Sequence, residues 1–185
     1  MIRKKLFSCI ICFIILATLG LVFLYYIPNA NIVKKTIHEY DFKYYNEIFY
    51  KKSLNYSNLI KNIDLLKLIE LRYKYNTLYI ESKNKKFKNL STGNSWQQVY
   101  FFGRLCIIRS KYTTTISYDT KLTEGHYEYN RLTLLKKHNK SWNIENDIIS
   151  MSKINFFQLF DSNNIVSRIK NYEEEYKKLF YNNFY

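Results

Sequence analysis

An unbroken apolar segment near the N-terminus places the strongest constraint on how this chain folds. Leu6 to Ile27 contains 22 residues without a charged side chain. As an α-helix it would measure about 33 Å, enough to cross a hydrocarbon core of about 30 Å. Only Ser8 and Thr18 interrupt its surface, so it lacks the polar stripe of a helix on a soluble core. We therefore predict a transmembrane anchor. The side chains assigned to it are Leu6, Phe13, Leu16, Phe23 and Ile27.

The charges beside this segment predict its orientation. Arg3 to Lys5 precede it and would stay in the cytoplasm as a short tail, although Lys34 and Lys35 on the other flank reduce the asymmetry. The rest of the chain would then lie outside, held in the cell membrane by a single pass. A cleaved signal peptide is the alternative. Its apolar region is shorter, about 7 to 15 residues, and it ends at a small-x-small site that Pro28 to Ala30 do not form.

The balance of charge predicts the kind of partner. Removing Arg3 to Lys5 from the 29 basic residues leaves 26 against 15 acidic ones, a net charge of +11 on the remainder. Such a surface attracts anions. Because the lysines are dispersed and the recognisable nucleic-acid-binding signatures are missing, nucleic acid is not an expected partner. We expect the membrane itself and either a protein partner or an anionic component of the cell envelope.

The sequence carries no complete catalytic or metal-binding pattern. Cys9 and Cys12 lie in the apolar segment, and Cys106 lies alone in an apolar stretch where a thiol usually packs. His126 and Glu128 would face the same way on a strand, but no further ligands stand at the spacing that a metal site needs. No glycine-rich phosphate loop is present. We therefore predict no catalytic residues, no metal and no cofactor, and we expect that the protein is not an enzyme.

After the anchor, a helical pattern gives way to a strand pattern. Apolar residues at spacings of three and four predict helices over 33–51 and 56–81, and Ser57 is a candidate N-cap for the second. The apolar stripe of the first helix consists of Ile37, Tyr40, Tyr44 and Ile48. The polar stretch Asn84 to Asn94 predicts a turn region. An antiparallel meander with short turns follows. Its predicted strands are Gln98–Phe102, Arg104–Tyr118, Gly125–Lys137 and Ser141–Ile149. Residues 153–185 return to a helical pattern.

Four apolar residues of the last two strands predict the inner face of this sheet. Leu132 and Leu134 alternate on one strand and Trp142 and Ile144 on the next, so helices could cover all four. The order of elements predicts an α+β fold, with a transmembrane helix, then helices packed on a curved antiparallel sheet, then a C-terminal helix. The predicted domains are a tail at 1–5, the anchor at 6–27, an extracytoplasmic domain at 32–150 and a C-terminal helical extension at 153–185.

The run Arg131 to Lys137, a polar turn, and then Trp142 to Asp147 resembles the last hairpin of extracytoplasmic members of the NTF2-like, or cystatin-like, superfamily. The specific part covers about 20 residues, and a looser likeness extends from Val33 to Ser150. The resemblance implies helices over a curved sheet, often with a conical pocket between them. The candidate pocket or core residues are Tyr73, Tyr100, Leu132, Leu134, Trp142 and Ile144.

Two narrower similarities bear on function. The helix Leu65 to Tyr73 is similar to the region that precedes the catalytic part of amidase-domain proteins of Gram-positive bacteria. This implies an accessory module, because the amidase region that follows in those proteins has no counterpart in this sequence. The order of tail, span and external domain is similar to NTF2-like components of conjugation and secretion channels. Three hypotheses follow: a non-catalytic anchored domain that binds a protein partner or envelope component, a channel subunit, or a small hydrolase or isomerase that uses the pocket.

Overall fold

The computed structural model describes residues 2–50, 56, 58–82, 87–118 and 124–184. Side chains are described for all of these except 2–6, 8, 45–50, 80–82, 87–91, 116–118, 124–125 and 183–184. The chain forms two compact units, Met1–Lys35 and Thr36–Tyr185.

The first unit is helical. Helix α1 spans Ile2–Leu21, a π-helical turn covers Val22–Tyr26, and helix α2 spans Ile27–Tyr50, passing into the second unit at Thr36. The continuous helical stretch Cys9–Tyr44 is long and apolar enough to cross a membrane. Its most apolar part has a mean hydropathy of 2.7, and none of that part is buried. The Thr18 side chain forms a hydrogen bond within this helix: its Oγ1 donates to the Ile14 carbonyl at 2.7 Å. Such bonds satisfy a hydroxyl without water.

The described part of the second unit contains three α-helical segments and the short 3-10 turn Phe156–Leu159. The part of α2 from Thr36 buries Ile37, Tyr40 and Tyr44, three members of the predicted apolar stripe. Helix α3 spans Ile63–Ser82. Helix α4 spans Ser162–Phe184 and packs on α3, where the rings of Tyr75 and Tyr172 lie 5.9 Å apart. The C-terminal helix is therefore docked within the unit.

The sheet is a curved, open, antiparallel meander in the order β1-β2-β3-β4. Its strands are β1 Phe87–Phe102, β2 Leu105–Tyr118, β3 Glu124–His138 and β4 Ser141–Ser150. The predicted turn at Asn84 to Asn94 is wrong over the described part, because residues from Phe87 onward pair with β2. Glycine at position 93 allows β1 and β2 to approach closely, because an added Cβ would lie 3.0 Å from Thr113 Oγ1.

The chain before α3 covers the outer edge of β4. The backbone N–H of Ile144 donates to the Leu59 carbonyl at 2.7 Å, and the Asn143 side chain donates to the Asn58 carbonyl at 2.8 Å. The predicted helix start near Tyr56 is therefore wrong: the backbone N–H groups of Leu59 and Ile60 donate to the Tyr56 carbonyl in a single turn. A parallel bridge between Ile60 and Ile144 then gives the edge of β4 a hydrogen-bonding neighbour. The candidate cap Ser57 lies outside the described residues.

The two faces of the sheet carry different side chains. On one, here called the cleft face, Tyr100, Ile107 and Leu134 stand in register across β1, β2 and β3. The other, here called the helix face, carries Arg131 of β3, which contacts α2. The predicted α+β class, with an apolar N-terminal helix, an antiparallel sheet with helices and a C-terminal helix, is confirmed.

Candidate functional site

An apolar cleft of about 290 Å³ opens on the cleft face. Strands β1, β2 and β3 form its floor, and the connector between β4 and α4 forms one wall. Its apolar lining consists of Tyr100, Phe102, Ile107, Leu132, Ile154 and Phe156. Three of these side chains, Tyr100, Phe102 and Phe156, are more than two-fifths exposed. The cleft therefore presents aromatic surface directly to solvent.

Polar side chains occupy the rim of this cleft. Gln98 and Arg109 are directly opposite each other on β1 and β2, and both are exposed. Asn130 lies farther along, where its amide donates to the Ser152 carbonyl at 3.1 Å and ties the connector to β3. The rim can therefore offer amide and guanidinium donors to a bound group.

The connector wall is held in place by specific contacts. Leu159 is buried in an apolar cluster with Ile107, Leu132, Leu134 and Ile148. Its carbonyl accepts a hydrogen bond from the Asn146 side chain at 3.1 Å. The 3-10 turn Phe156–Leu159 also carries a capping box, in which the Asn155 side chain accepts from the turn and Gln158 reaches back to the Asn155 backbone. These bonds fix the wall before any ligand arrives.

The electrostatics of this face are basic. Lys111 Nζ contacts Glu128 Oε1 at 2.6 Å, and the hydrogen bond and charge of Lys111 lower the pKa of that exposed carboxyl. Arg109 stands two residues from Lys111 on the same side of β2, and Lys136 lies on this face of β3. A ligand with a negative charge is therefore favoured at the rim.

A second polar group lies on the helix face and is buried except for Asn94, which is partly exposed. Arg131 makes a two-pronged ion pair with Asp147, at 2.8 Å through Nε and 3.0 Å through Nη2. Its Nη1 donates to Asp41 of α2 at 2.8 Å and to Asn94 of β1 at 3.1 Å. Thr133 completes the group by donating to Asp147 at 2.8 Å. We call these five residues the Arg131 cluster.

Burial and ion pairing set the protonation of the Arg131 cluster. Burial alone would raise the pKa of Asp147, but the charge of Arg131 and the hydrogen bonds from Arg131 and Thr133 outweigh it, so the pKa lies below its ordinary value. Burial opposes the charge of Arg131, while Asp147 and Asp41 raise its pKa well above the usual range. Both ions are therefore retained, and their donors and acceptors point at one another. This arrangement joins α2, β1, β3 and β4.

The sequence predicted some residues of these sites and missed others. Tyr100 and Leu132 line the cleft, while Leu134 lies beneath it in the apolar cluster. Arg131 and Asp147 were part of the hairpin resemblance but were not predicted as an ion pair. The signal was present, because each is a charged residue within a predicted strand that also carries core residues, and such a charge requires a partner when buried.

The remaining candidates lie elsewhere. Trp142 and Ile144 are buried on the helix face, so the expectation that they share a face with Leu132 and Leu134 is wrong. The cause is one extra residue in β4: Leu134 pairs with Asn146, but Leu135 pairs with Ile144. Tyr73 is half-buried on α3. Of the anchor residues, the side chains of Phe13, Leu16, Phe23 and Ile27 are exposed, and that of Leu6 lies outside the described side chains.

Other reactive side chains have ordinary partners. His126 Nδ1 lies 3.1 Å from Thr115 Oγ1, and His138 Nε2 lies 3.0 Å from Glu145 Oε1. Cys106 is buried, and burial raises the pKa of its thiol to about 12. Among the described residues, no group of three or more histidine, cysteine or acidic side chains is placed to hold a metal ion.

No family model matches this chain, and no curated protein or solved structure is significantly similar to it. The resemblance to the NTF2-like superfamily therefore stays a prediction, and function has to be argued from the geometry of the site.

Proposed function

We propose that this chain is a membrane-anchored, non-catalytic domain that binds a protein partner in the cleft between β1, β2, β3 and the connector. The carrying observation is the cleft itself, an apolar groove with a fixed wall and a basic rim. The partner would contribute a segment with apolar side chains and at least one carboxylate, because Tyr100, Phe102 and Phe156 offer apolar contact and Arg109 offers a positive charge.

The dimensions of the cleft favour side chains of a protein over a free small molecule. Its volume of about 290 Å³ lies at the lower limit of pockets that enclose small ligands, roughly 300 to 1,000 Å³. Exposed aromatic residues around a groove are typical of protein interfaces, where aromatic side chains and arginine contribute much of the binding energy. Two or three side chains of an extended segment would fill the space while its backbone stays at the rim.

A non-catalytic role is supported by the chemistry of the lining. Its polar side chains are amides, guanidinium groups and the Tyr100 phenol, and the described lining residues include no carboxylate, histidine or thiol that could serve as a general base. The ions that could perform acid–base chemistry, Asp41, Asp147 and Arg131, are occupied with one another on the opposite face.

The anchor and its orientation are part of the same proposal. The apolar N-terminal helix would tether the second unit to the cell membrane, and the positive charges of Arg3 to Lys5 favour a cytoplasmic N-terminus with the second unit outside. We also propose that the second unit is an NTF2-like variant. The order of helices, meander and Trp142-Asn143-Ile144 hairpin supports this, whereas the open cleft on the face away from Asp41 and Arg131 departs from a pocket under the helices.

Photocrosslinking in native membranes tests the cleft. The full-length protein carries a benzophenone amino acid in place of Tyr100, and the matched control carries it in place of Tyr127, which is equally exposed on β3 but outside the cleft lining. We expect an adduct of one defined mass from the Tyr100 position only. Arg109→Glu should abolish this adduct, because it reverses the charge at the rim while leaving an exposed side chain.

The outcomes separate the alternatives. Equal adducts at both positions, or an adduct that survives Arg109→Glu, would contradict a specific basic cleft. An adduct of twice the mass of this chain would replace the proposed partner with a second copy. The absence of any adduct at Tyr100, in membranes from cells in which the protein is normally made, would also contradict the proposal.

A further inference from the structure

Three phenylalanine side chains are exposed together in the connector that precedes α4. Phe156, Phe157 and Phe160 belong to one short segment, here called the phenylalanine turn, and Phe157 is 77% exposed. The rings touch: the centroids of Phe156 and Phe160 lie 5.5 Å apart, and those of Phe156 and Phe157 lie 6.3 Å apart. Met151, 67% exposed, belongs to the same connector. A contiguous group of exposed apolar side chains indicates a surface that contacts another protein or a membrane.

The turn holds these rings outward and does not let them collapse onto the sheet. Leu159, between Phe157 and Phe160, is the residue of this turn that is buried. Asn155 accepts from the Phe157 backbone at 3.1 Å, and the Phe160 backbone donates to the Phe157 carbonyl at 3.1 Å. Because Leu159 and the capping box fix the backbone, the outward rings are a preformed feature and lose little conformational entropy on binding.

Two observations indicate what covers the phenylalanine turn. First, the exposed Lys153 lies in the same connector and Arg109 lines the cleft together with Phe156, so basic side chains adjoin the rings. The acidic Asp161 next to Phe160 accepts a hydrogen bond from the Asn163 backbone at 2.9 Å. Second, the same chain carries a helix long and apolar enough to cross a membrane. Aromatic rings flanked by basic side chains match the chemistry of an anionic membrane interface.

We propose that Phe157 and Phe160 of the phenylalanine turn insert into the headgroup region of an anionic bilayer, while Phe156 remains in the cleft wall, so that the second unit touches the membrane at a second point. The proposal rests on the membrane anchor of the proposed function. Tethering raises the local concentration of bilayer around the turn, so insertion of two rings is sufficient even though two rings would not hold an untethered protein at a membrane. The electrostatic part of the attraction should fall as salt rises.

Tryptophan fluorescence of the full-length protein in vesicles tests this contact. The background carries Trp96→Phe, and the buried Trp142 is common to all samples. Phe157→Trp places the reporter in the phenylalanine turn, and Tyr127→Trp places it on an exposed strand position away from the turn. The vesicles contain phosphatidylglycerol and phosphatidylcholine, the latter with or without brominated acyl chains. We expect a shift to shorter wavelength and bromine quenching for Phe157→Trp, and neither for Tyr127→Trp.

Flotation and charge variants make the outcomes distinguishable. Flotation of the protein with the vesicles reports the anchor, so a protein that does not float would contradict the proposed function rather than this inference alone. A protein that floats but shows equal quenching for the two reporters, or none for Phe157→Trp, would overturn insertion of the turn. Lys153→Glu should reduce the quenching in anionic vesicles, and quenching that is unchanged by it would overturn the electrostatic contribution.

Discussion

Arg131 carries a positive charge at a position with no exposed side-chain surface, and it is tolerated there because its described hydrogen bonds all reach acceptors in the protein. Asp147 takes two of them, Asp41 and Asn94 share another nitrogen, and the rings of Tyr40 and Tyr112 lie within 6 Å of the guanidinium carbon. A buried ion pair of this geometry contributes little net stability compared with apolar packing, but its loss leaves unpaired charges behind.

Arg131→Met should therefore destabilise the second unit strongly. It leaves the carboxylates of Asp41 and Asp147 buried without their counterion, which costs about 3–5 kcal/mol. The measurement is the free energy of unfolding of the detergent-solubilised protein in urea. Lys111→Met is the matched control, because it removes a basic partner of a carboxylate on the exposed side of the sheet, where water replaces the lost contact. Similar decreases in the free energy of unfolding for Arg131→Met and Lys111→Met would contradict the claim that burial makes the loss of Arg131 costly.

Thr133→Val tests the protonation of Asp147. The variant removes a hydrogen bond that favours the ionised carboxylate, so it should lose about 1–3 kcal/mol near neutral pH. The folded-state pKa of Asp147 lies below its unfolded value of about 3.9. Its stabilisation is therefore complete above that pH and is lost as the pH falls through the folded pKa. We expect the difference in free energy of unfolding between wild type and variant to stay constant from about pH 7 down to about pH 4 and to narrow as the pH falls further.

Urea unfolding from about pH 7 to about pH 2 measures this difference. A difference that stays constant over the whole range would mean that Thr133 acts only through packing. Asp161→Asn serves as the control, because Asp161 is exposed at the start of α4 and its removal should leave the gap between wild type and Thr133→Val unchanged.

At the residue scale, the sequence predicted apolar positions better than polar ones. Ile37, Tyr40 and Tyr44 were predicted as one stripe and are buried together, because helical spacing alone brings them to one side. Asn94 was read as a turn former, yet it lies in β1 and its amide donates to Asp41 at 2.8 Å. Its role depends on groups 37 and 53 residues away in the chain, which no local pattern contains.

At the scale of elements, the start of α3 shows how a tertiary contact moves a boundary. Asn62 caps this helix: its side-chain oxygen accepts from the backbone of Asp64 at 3.0 Å and of Leu65 at 3.2 Å, while its amide donates to the Glu145 carbonyl at 2.9 Å. The apolar pattern from Tyr56 is compatible with a helix, but Leu59 and Ile60 pair with β4 instead. The contacts with the edge of β4 therefore determine where α3 begins.

Asn62→Ala should destabilise the second unit by about 1–2 kcal/mol, since it removes the cap of α3 and the bond to β4 together. Asn62→Asp keeps the capping oxygen and places a negative charge at the helix N-terminus, so it should retain most of the stability and lose only the amide donor. Urea unfolding of both variants gives the comparison. Equal losses would show that the bond to Glu145, and not the cap, carries the effect.

In the sheet, the sequence predicted the order of the strands but not which face each side chain occupies. Its strand order and its short turns followed from the sequence, because the strands are consecutive and the connections short. The division of Leu134 and Ile144 between two faces did not, because it depends on one unpaired step at Glu145 in β4. A shift of one residue reverses which face a side chain occupies, and the amino-acid pattern around Glu145 gives no sign of it.

At the scale of the whole molecule, composition was sufficient for the apolar helix and the α+β class, because long apolar runs and changes of period are properties of the chain itself. The cleft was not predictable in the same way. Its floor comes from three strands, β1, β2 and β3, and its wall from the connector that follows β4, so it exists only once the sheet and the 3-10 turn have formed.

Cysteine labelling in intact cells tests the proposed orientation of the whole chain. Lys153→Cys places a thiol on the exposed connector, and a membrane-impermeant maleimide should label it without permeabilisation. Ile2→Cys is the matched control and should react only after the membrane is opened. The native background is low, because Cys9 and Cys12 would lie in lipid, and Cys106 is buried with a pKa raised to about 12, which leaves almost no thiolate at neutral pH. The reverse labelling pattern would place the second unit, with its cleft and phenylalanine turn, in the cytoplasm.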